Sequence, residues 1–423
     1  MPASPTSSAR RAAVLLLDKV LGEGRLLGDL HGQLEPLAPH DRARALRLAL
    51  DTLRGLDRAD RLLSRQLRKS PQLHVMNILR LGTVELAMGG DAHGIVSECV
   101  GLVATHPHYK RLKGMVNAVL RQMADGGARP WHDLRVPRLP QWLRDPLVAA
   151  WGSGAVTAME KAHFAGAPLD LTAKSDAGAV AQATGGTLLP TGSVRLEKAG
   201  QVSALPGFDS GDWWVQDAAA ALPVRGLAAK PGERVLDLCA APGGKTMQIA
   251  AAGAEVTALD ISEKRMARVA ENLARAGLNA DCRVMDVFDF SEGGHDAILL
   301  DAPCSATGTI RRHPDLPHAR DGAGISELIT LQAAMLDHAL GLLAPGGRLV
   351  FCTCSLLPDE GEVQIEEALA RHPGLRSDPA AFDLPGLSES WLTQEGGLRL
   401  RPDYWAQSGG MDGFYMACLR KNA

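Results

Sequence analysis

Residues 9 to about 125 carry apolar side chains at helical spacing, in runs that break mostly at glycine and proline. Two of these runs are Leu15, Leu16, Val20, Leu26, Leu27 and Leu30, and Leu46, Leu48, Leu50, Leu53 and Leu56. Apolar residues that recur every three or four positions line one face of an amphipathic helix. The pattern therefore predicts an all-α N-terminal domain.

After residue 125 the helical pattern gives way to a stretch rich in glycine, proline and arginine, which predicts a linker. Beyond it, Leu169–Ala173 is typical of a strand and Ala177–Gln182 of a short helix. The predicted organisation is a helical domain over 1–128, a linker over 129–139, a small α+β subdomain over 140–212 and a larger α/β domain over 213–423.

From Trp213 onward, predicted strands and helices alternate, which is the pattern of a doubly wound, Rossmann-like sheet. The candidate strands are Arg234–Leu238, Glu255–Leu259, Asp281–Met285, Ala297–Leu300 and Arg348–Cys352. The last two run into cysteine stretches, Asp301–Ser305 and Phe351–Ser355. Because parallel strands end at one edge of a sheet, both thiols should emerge on the same rim. Two reactive cysteines there indicate covalent chemistry on an activated ring.

Charge is distributed unevenly along the chain, although the net charge is only −3. Residues 1–137 hold 20 Lys and Arg against 13 Asp and Glu, and the remainder holds 25 against 35. A basic N-terminal part and an acidic remainder fit a domain that binds a polyanion, joined to a domain that binds a cationic ligand. Part of the basic surplus could form a phosphate-contacting stripe: Arg42, Arg44, Arg47, Arg54, Arg58, Arg61, Arg65, Arg68 and Lys69.

The seven cysteines are odd in number and form neither CxxC pairs nor clusters with histidine. This pattern argues against a disulfide framework or a metal site and favours a reducing cytoplasm. Arg10-Arg11 and the apolar Ala12–Leu17 could pass for a signal peptide, but the run stops at Asp18, so we expect an amphipathic helix. No stretch approaches the length needed to span a bilayer. The sequence is silent on oligomeric state, and a monomer is the expectation.

Val235–Thr246 is typical of a strand that runs into a glycine turn and a helix. Such a turn lets the backbone approach a ligand closely, and the first N–H groups of the helix receive its anionic end. A P-loop would need glycine at Cys239, and the GxGxxG fingerprint is absent. S-adenosyl-L-methionine remains as the candidate ligand, since its carboxylate suits the N-terminus of the helix and its ammonium and sulfonium cations need acidic residues nearby. The predicted cofactor residues of the turn are Cys239, Ala240, Ala241, Pro242, Gly243, Gly244 and Lys245.

Acidic residues follow three successive predicted strands. Asp260 ends the second strand and suits ribose hydroxyls. Asp286 ends the third and could reach the adenine edge, while Asp301 ends the fourth and could hold the methionine ammonium. Any one of these acids could be a helix cap or a loop residue, but acids at three successive strand ends favour a ligand-binding site. Arg265, in the following helix, is a further candidate for cofactor contact.

Residues 138–423 resemble the RNA cytosine-C5 methyltransferases of the Nop2/Sun/Fmu family. The motifs that carry the resemblance are Val215–Asp217, Cys239–Lys245, Asp301–Gly308, Thr353–Ser355 and Asp412–Phe414. Two positions depart from the family pattern: Gly361 replaces the usual Asn, and Cys352 is an extra thiol. The resemblance implies a class I methyltransferase fold, S-adenosyl-L-methionine as methyl donor with S-adenosyl-L-homocysteine as product, and no metal.

The front of the chain resembles the NusB-like antitermination-factor fold, an RNA-binding helical bundle, through Ile78–Leu81, Asp91–Gly94 with Glu98, and Met115–Arg121. Such a domain fused to this methyltransferase is the arrangement of bacterial 16S ribosomal RNA cytosine-C5 methyltransferases. The fusion implies 16S rRNA or an early small-subunit particle as the partner. The same chemistry on transfer RNA, a non-catalytic RNA-binding scaffold and antitermination by the front domain are the alternatives.

Cytosine C5 is too electron-poor to take a methyl group unaided, whereas a thiolate bonded to C6 makes C5 nucleophilic. DNA cytosine-C5 enzymes attack with the Pro-Cys thiol, which would nominate Cys304. The RNA family attacks with the Thr-Cys-Ser thiol, so the resemblance implies Cys354 as nucleophile and Cys304 as the group that assists release. Asp301 is the third predicted catalytic residue, because it could contact the N3 edge of the base. The base must also leave any stack to reach the thiol.

Overall fold

The computed structural model describes residues 5–197 and 200–422. Its helices are α1 (Pro5–Glu23), α2 (Pro39–Arg54), α3 (Leu56–Leu63), α4 (Leu73–Ala87), α5 (Ala92–Thr105), α6 (Lys113–Gln122), α7 (Gln141–Ala165), α8 (Ala177–Thr184), α9 (Ala218–Leu227), α10 (Gly244–Ala251), α11 (Glu263–Ala276), α12 (Leu316–Ala319), α13 (Ile325–Leu342) and α14 (Glu362–Arg371). Its strands are β1 (Leu169–Ala173), β2 (Thr187–Leu188), β3 (Val194–Leu196), β4 (Trp213–Val215), β5 (Arg234–Leu238), β6 (Glu255–Asp260), β7 (Asp281–Val284), β8 (His295–Asp301), β9 (Leu343–Thr353), β10 (Leu375–Ser377), β11 (Leu398–Leu400) and β12 (Phe414–Lys421).

The chain divides into two compact units. The first comprises the residues up to Ala165 together with Ile310–Gly322, and the second comprises Gly166–Thr309 and the residues from Ala323 onward. This division differs from the predicted boundaries, because the stretch predicted as a linker belongs to the first unit. Its Trp131 is buried in a small apolar cluster of that unit.

The helical pattern of the front of the chain is confirmed. Helices α1 to α6 enclose one apolar core, and the segment that could pass for a signal peptide lies within α1. Its Leu16 and Leu17 are fully buried in that core, which explains the short apolar run. Arg10 of the same helix is bonded to Glu85 at 2.6 Å and also to Glu98. Within the described residues, no helix is both long and apolar enough to cross a membrane.

The predicted arginine stripe is only partly a surface feature. Arg58 is buried and donates to the backbone carbonyl of Trp131 at 2.8 Å. Arg54 donates to the carbonyls of His163 and Arg311, so it too binds backbone of its own unit. Buried arginines of this kind satisfy carbonyl groups that would otherwise lack a partner. The members of the stripe that are exposed are Arg42, Arg47, Arg65, Arg68 and Lys69.

All five strands predicted for the α/β domain are present, at nearly the expected positions. They form the parallel part of one sheet in the order β9-β8-β5-β6-β7, and β12 pairs antiparallel with β9. The chain runs from β5 outward to β6 and β7 and then returns to the other side of β5 with β8 and β9. Such a reversal of strand order opens a crevice at the carboxyl ends of β5 and β8, where doubly wound sheets bind ligands.

The strand predicted at 169–173 belongs to a second, four-stranded sheet in the order β2-β3-β1-β4. The buried ion pair between Asp170 of β1 and Arg195 of β3, at 2.7 Å, joins two of its strands. Asp170 also accepts the backbone N–H of Ala218 at the start of α9. This sheet thereby fixes the entry of the chain into α9 and β5.

Candidate active site

The two cysteine stretches meet at one rim of the large sheet, as predicted. β8 and β9 are parallel neighbours in which Asp301 is opposite Cys352. Cys304 lies three residues beyond the end of β8, and Cys354 directly follows β9. Their sulfur atoms are 3.5 Å apart, within hydrogen-bond distance for thiols. The adjacency of two parallel strands has therefore brought both candidate nucleophiles to one point.

The surroundings of the pair are not symmetric. The hydrogen bond with Cys354 raises the pKa of the Cys304 thiol well above its ordinary value, and burial and the charges of Cys354 and Glu360 act in the same direction. A thiol with a strongly raised pKa keeps its proton at neutral pH. Cys304 is therefore placed to act as a proton-carrying group beside Cys354.

An ion pair lies next to the thiols. Lys245 Nζ, at the start of α10, is 2.7 Å from Oδ2 of Asp301, and it sits over the ring of Phe414 at 5.2 Å. Burial is the largest influence and would lower the pKa of Lys245, but the charge of Asp301, its hydrogen bond with the lysine and the neighbouring Cys352 and Cys354 together outweigh burial and raise that pKa. The thiol of Cys352 donates to the second oxygen of Asp301 at 3.3 Å. Both oxygens of the Asp301 carboxylate are thus oriented by neighbouring groups.

The predicted glycine turn lies between β5 and α10, beside this ion pair. Cys239 and Gly243 adopt positive φ angles of 64° and 100°. A Cβ on Gly243 would lie 3.2 Å from the Cα of Val269, so glycine allows both the conformation and the close approach of α11. The turn therefore carries the chain from the carboxyl end of β5 directly into the start of α10.

Asp260 is the last residue of β6 and is almost completely buried. It accepts the backbone N–H of Ser262 at 2.9 Å and that of Ala241, in the glycine turn, at 3.2 Å. The predicted candidate Arg265 also binds it, at 2.8 Å, with a side chain that is 57% exposed. The structure thus joins Asp260, the turn and Arg265 in one group.

The prediction that Asp286 ends the third strand is wrong in detail. β7 ends at Val284, and Asp286 instead accepts the N–H of Phe288 at the start of a short 3-10 helix. Near this acid and Asp260, Ile261 and Phe288 expose 65% and 41% of their surface. An exposed apolar side chain close in the chain to each acid fits a ligand with a flat ring and hydroxyl groups. The arrangement fits S-adenosyl-L-methionine.

Two glycines of the predicted motifs, Gly308 and Gly413, support the Cys354 loop through backbone hydrogen bonds. Gly308 donates its N–H to the carbonyl of Cys354 at 2.9 Å and accepts the N–H of Gly413 at 2.8 Å. A Cβ on Gly308 would lie only 2.0 Å from the carbonyl oxygen of Gly413, so no larger residue fits between these two backbones. The predicted motifs Asp301–Gly308 and Asp412–Phe414 are therefore parts of one packed loop cluster.

Sequence reasoning missed the polar residues under the thiols. Glu360 and Gln332 are fully buried, and Glu360 accepts the Nε2 group of Gln332 at 3.0 Å and the N–H of Ser305 at 2.8 Å. One signal was available: Gln332 is a polar residue within the apolar stretch of α13. Among the described residues, no group of three or more His, Cys, Asp or Glu side chains is arranged to hold a metal ion.

Comparisons with known proteins cover both units. Residues 7–125 match the model of the NusB family, and residues 224–420 match the model described as 16S rRNA methyltransferase RsmB/F. The ribosomal RNA small subunit methyltransferase B of Pseudomonas putida is 37% identical over 99% of this chain and 99% of its own.

Solved structures are similar as well. The crystal structure of PH0851 superposes with a TM-score of 0.74 at 21% identity, covering 100% of both chains. A methyltransferase homolog protein from Pyrococcus horikoshii is 28% identical, with a TM-score of 0.56 over 67% of this chain and 95% of its own. The first of these likenesses concerns the fold alone, and it extends along the whole chain.

Proposed function

Because the chain belongs to the RsmB/F family of 16S rRNA methyltransferases, we propose that it transfers a methyl group from S-adenosyl-L-methionine to C5 of a cytosine in 16S rRNA. The observation that carries this chemistry is the pair of thiols, Cys304 and Cys354, 3.5 Å apart beside the Lys245–Asp301 ion pair. A methyltransferase that modified an oxygen or an amine would have no need of a second thiol at this position.

The reaction uses the two thiols in sequence. The Cys354 thiolate bonds to C6 of the cytosine, and the electron pair of the C5–C6 double bond becomes available at C5. S-adenosyl-L-methionine, when bound, supplies the methyl group as an electrophile on its sulfonium. Transfer of the C5 proton to water then returns the electron pair of the C5–H bond to the C5–C6 double bond, and the bond between C6 and sulfur breaks to leave thiolate on Cys354. The Cys304 thiol assists this release by donating a hydrogen bond to the departing sulfur.

The assignment of Cys354 as nucleophile rests on the Thr-Cys-Ser resemblance and is supported by two properties of the site. Cys304 has a strongly raised pKa, so it keeps its proton at neutral pH. Lys245, the cation of the ion pair with Asp301, interacts electrostatically with Cys354. Both properties support the assignment of the attack to Cys354.

The cofactor residues follow from the rim geometry. We propose that the turn and the first N–H groups of α10 receive the methionine carboxylate, that Asp260 binds the ribose hydroxyls, and that Asp286 contacts the adenine edge. Arg265 acts through Asp260, to which it is bonded. Asp301 is bonded to Lys245 and Cys352, so its oriented carboxylate suits the N3 edge of the cytosine.

The helical unit would bind the RNA. The exposed members of the basic stripe are available for phosphate contacts, and the buried ones are not. The partner is 16S rRNA, free or in an early small-subunit particle, and the target cytosine must be unpaired to enter the site. An rRNA substrate also supports the expected cytoplasmic location.

The test is methylation of purified 16S rRNA, early small-subunit particles and transfer RNA with labelled S-adenosyl-L-methionine, followed by bisulfite mapping of each product. The Cys354→Ala protein is the matched control. Label at one cytosine of 16S rRNA, absent with the variant, is the expected result. Label confined to transfer RNA would show that the protein carries out the same chemistry on transfer RNA and not on 16S rRNA.

Two further outcomes would overturn the proposal. Tight RNA binding without methyl transfer to any of the three RNA preparations would establish the scaffold alternative. Binding of a leader RNA by the helical unit, independent of S-adenosyl-L-methionine and without methylation, would favour antitermination instead.

A further inference from the structure

Glu360 is a fully buried carboxylate beneath the thiol pair. It lies in a short 3-10 helix, Pro358–Glu360, that follows the Cys354 loop. In the described part of the chain it forms no ion pair with lysine, arginine or histidine. A buried carboxylate without a cation is costly unless hydrogen-bond donors surround it. The donors around Glu360 therefore define what this residue does.

Those donors come mainly from the Cys304 loop. Ser305, the residue after Cys304, donates both its backbone N–H and its hydroxyl to the two oxygens of Glu360. The third donor is Nε2 of Gln332 in α13, which also donates to the carbonyl of Pro303 at 2.8 Å. Glu360 and Gln332 together thus hold the residues on both sides of Cys304.

A second set of bonds links this assembly to Cys354. The hydroxyl of Ser355, the residue after Cys354, is 3.2 Å from the hydroxyl of Ser305 and 3.2 Å from that of Thr307. Thr353, the residue before Cys354, donates its hydroxyl to the backbone carbonyl of Glu360 at 2.8 Å. Glu360 is therefore bonded to the flanking residues of both cysteines.

From this geometry we infer that Glu360 is a positioning residue that sets the separation of the Cys304 and Cys354 sulfur atoms, acting through Ser305 and Ser355. The spacing itself is independent of the substrate, whereas its value for catalysis depends on the proposed function. Removing the carboxylate would leave the Ser305 N–H and one of the two N–H groups of the Gln332 amide without an acceptor in the interior, and the Cys304 loop would move to satisfy them.

The first measurement reports the sulfur spacing without any RNA. Diamide oxidises two neighbouring thiols to a disulfide and takes up their two protons and two electrons. The rate of the Cys304–Cys354 cross-link, identified by peptide mass spectrometry, depends on how closely the thiols are held. Displacement of reacting atoms by about 1 Å lowers such rates by about 100-fold, so Glu360→Ala should slow the cross-link to that extent. Cys304→Ala provides the background.

The second measurement separates positioning from folding. Glu360→Gln keeps an oxygen for the Ser305 N–H, and its new amide can donate to the Ser305 hydroxyl. It should therefore retain the cross-linking rate and kcat to within about threefold. Glu360→Ala should lower kcat for methyl transfer by about 100-fold with KM changed by less than about threefold. A variant that was merely less stable would also lower the apparent kcat, through loss of folded protein, so kcat is expressed per folded protein measured by circular dichroism. The first-order rate of the diamide cross-link does not depend on the amount of folded protein, so it reports the thiol spacing separately from stability.

The matched control is Glu233→Gln. Glu233, which precedes β5, forms an ion pair with Arg348 in the middle of β9, six residues before Cys354. This variant loses a charge pair in the same unit and should keep both the cross-linking rate and kcat. If Glu360→Ala does not fold, Ser355→Ala removes the bridging hydroxyl without stranding a charge and should slow the cross-link at least tenfold.

Wild-type cross-linking rates in both Glu360→Ala and Ser355→Ala would overturn the inference. If the wild-type protein methylates no RNA, the proposed function fails, but the diamide rates still decide whether Glu360 sets the thiol spacing.

Discussion

The sulfur atoms of Cys304 and Cys354 lie 3.5 Å apart although the two residues are fifty positions apart in the chain. The contact exists because β8 and β9 are adjacent and parallel, so that their following loops rise from one rim. It also creates the asymmetry of the pair, since the bond to Cys354 raises the pKa of Cys304.

Cys354→Ala should abolish both methyl transfer and the covalent RNA adduct, because the proposed mechanism assigns the bond to C6 to this thiol alone and the neighbouring Cys304 keeps its proton. Cys304→Ala should form the adduct and accumulate it, because release is impaired. Denaturing gel electrophoresis of protein with labelled RNA measures the adduct directly. The matched control is Cys418→Ala, which changes a buried thiol within β12 and should leave adduct chemistry unchanged. Adduct formation by Cys354→Ala would reassign the nucleophile.

Asp301→Asn should lower the single-turnover rate of methyl transfer by about 100-fold. The neutral amide removes the carboxylate partner of Lys245, and it presents no negative charge to the cytosine. The side chain of Lys245 is only 11% exposed, so breaking the pair should also cost about 3 kcal/mol of unfolding free energy. Quench-flow kinetics and urea unfolding measure the two effects. Asp296→Asn, in the exposed part of the same strand, should change neither; equal losses in both variants would contradict the role of Asp301.

Asp260→Ala should weaken binding of S-adenosyl-L-homocysteine by at least about tenfold, as expected when a charged hydrogen-bond acceptor is lost. Part of the effect comes from the glycine turn, whose Ala241 N–H is bonded to Asp260. Isothermal titration calorimetry in the absence of RNA measures it. Asp289→Asn changes an exposed acid near Asp286 and should bind normally. Unchanged affinity in Asp260→Ala would remove Asp260 from the cofactor site.

The buried Asp237 should make stability depend on pH. Its pKa is raised from 3.8 to about 7, mainly by burial and further by the charge of Asp301. The hydrogen bond from Thr246 acts in the opposite direction and lowers the pKa by less than burial raises it. Between these pH values the folded protein holds a proton at Asp237 that the unfolded chain has lost, so the contribution of this group to stability is fully present below about pH 4 and is lost as pH rises to about 7. The loss from this group amounts to about 4 kcal/mol.

Asp237→Asn should flatten that part of the profile, since the amide does not titrate. Urea unfolding at pH 5, 6, 7 and 8 compares the variant with the wild type. Asp289→Asn serves again as the exposed control and should keep the wild-type slope. A profile of Asp237→Asn that is as steep as that of the wild type would show that another group is responsible.

Much of the fold could be predicted because local patterns determine it. The apolar runs of β5, β6, β8 and β9 are bounded by glycines and acids, and the front helices show regular spacing, so element type followed from periodicity. The linker was the exception. Trp131 lies in a segment rich in glycine, proline and arginine, but it is buried among helices, and composition does not report such packing.

The sequence by itself determined that Asp260, Asp301 and Cys354 lie at strand ends, because strand ends are properties of the local chain. The tertiary structure decided which of these ends are neighbours. The order β9-β8-β5 is not the order of the chain, and that order brings Lys245 to Asp301 and Cys304 to Cys354. The same holds for Glu360, whose donors come from two other elements. Contacts between distant segments depend on how strands are arranged and packed, and no local pattern of residues encodes them.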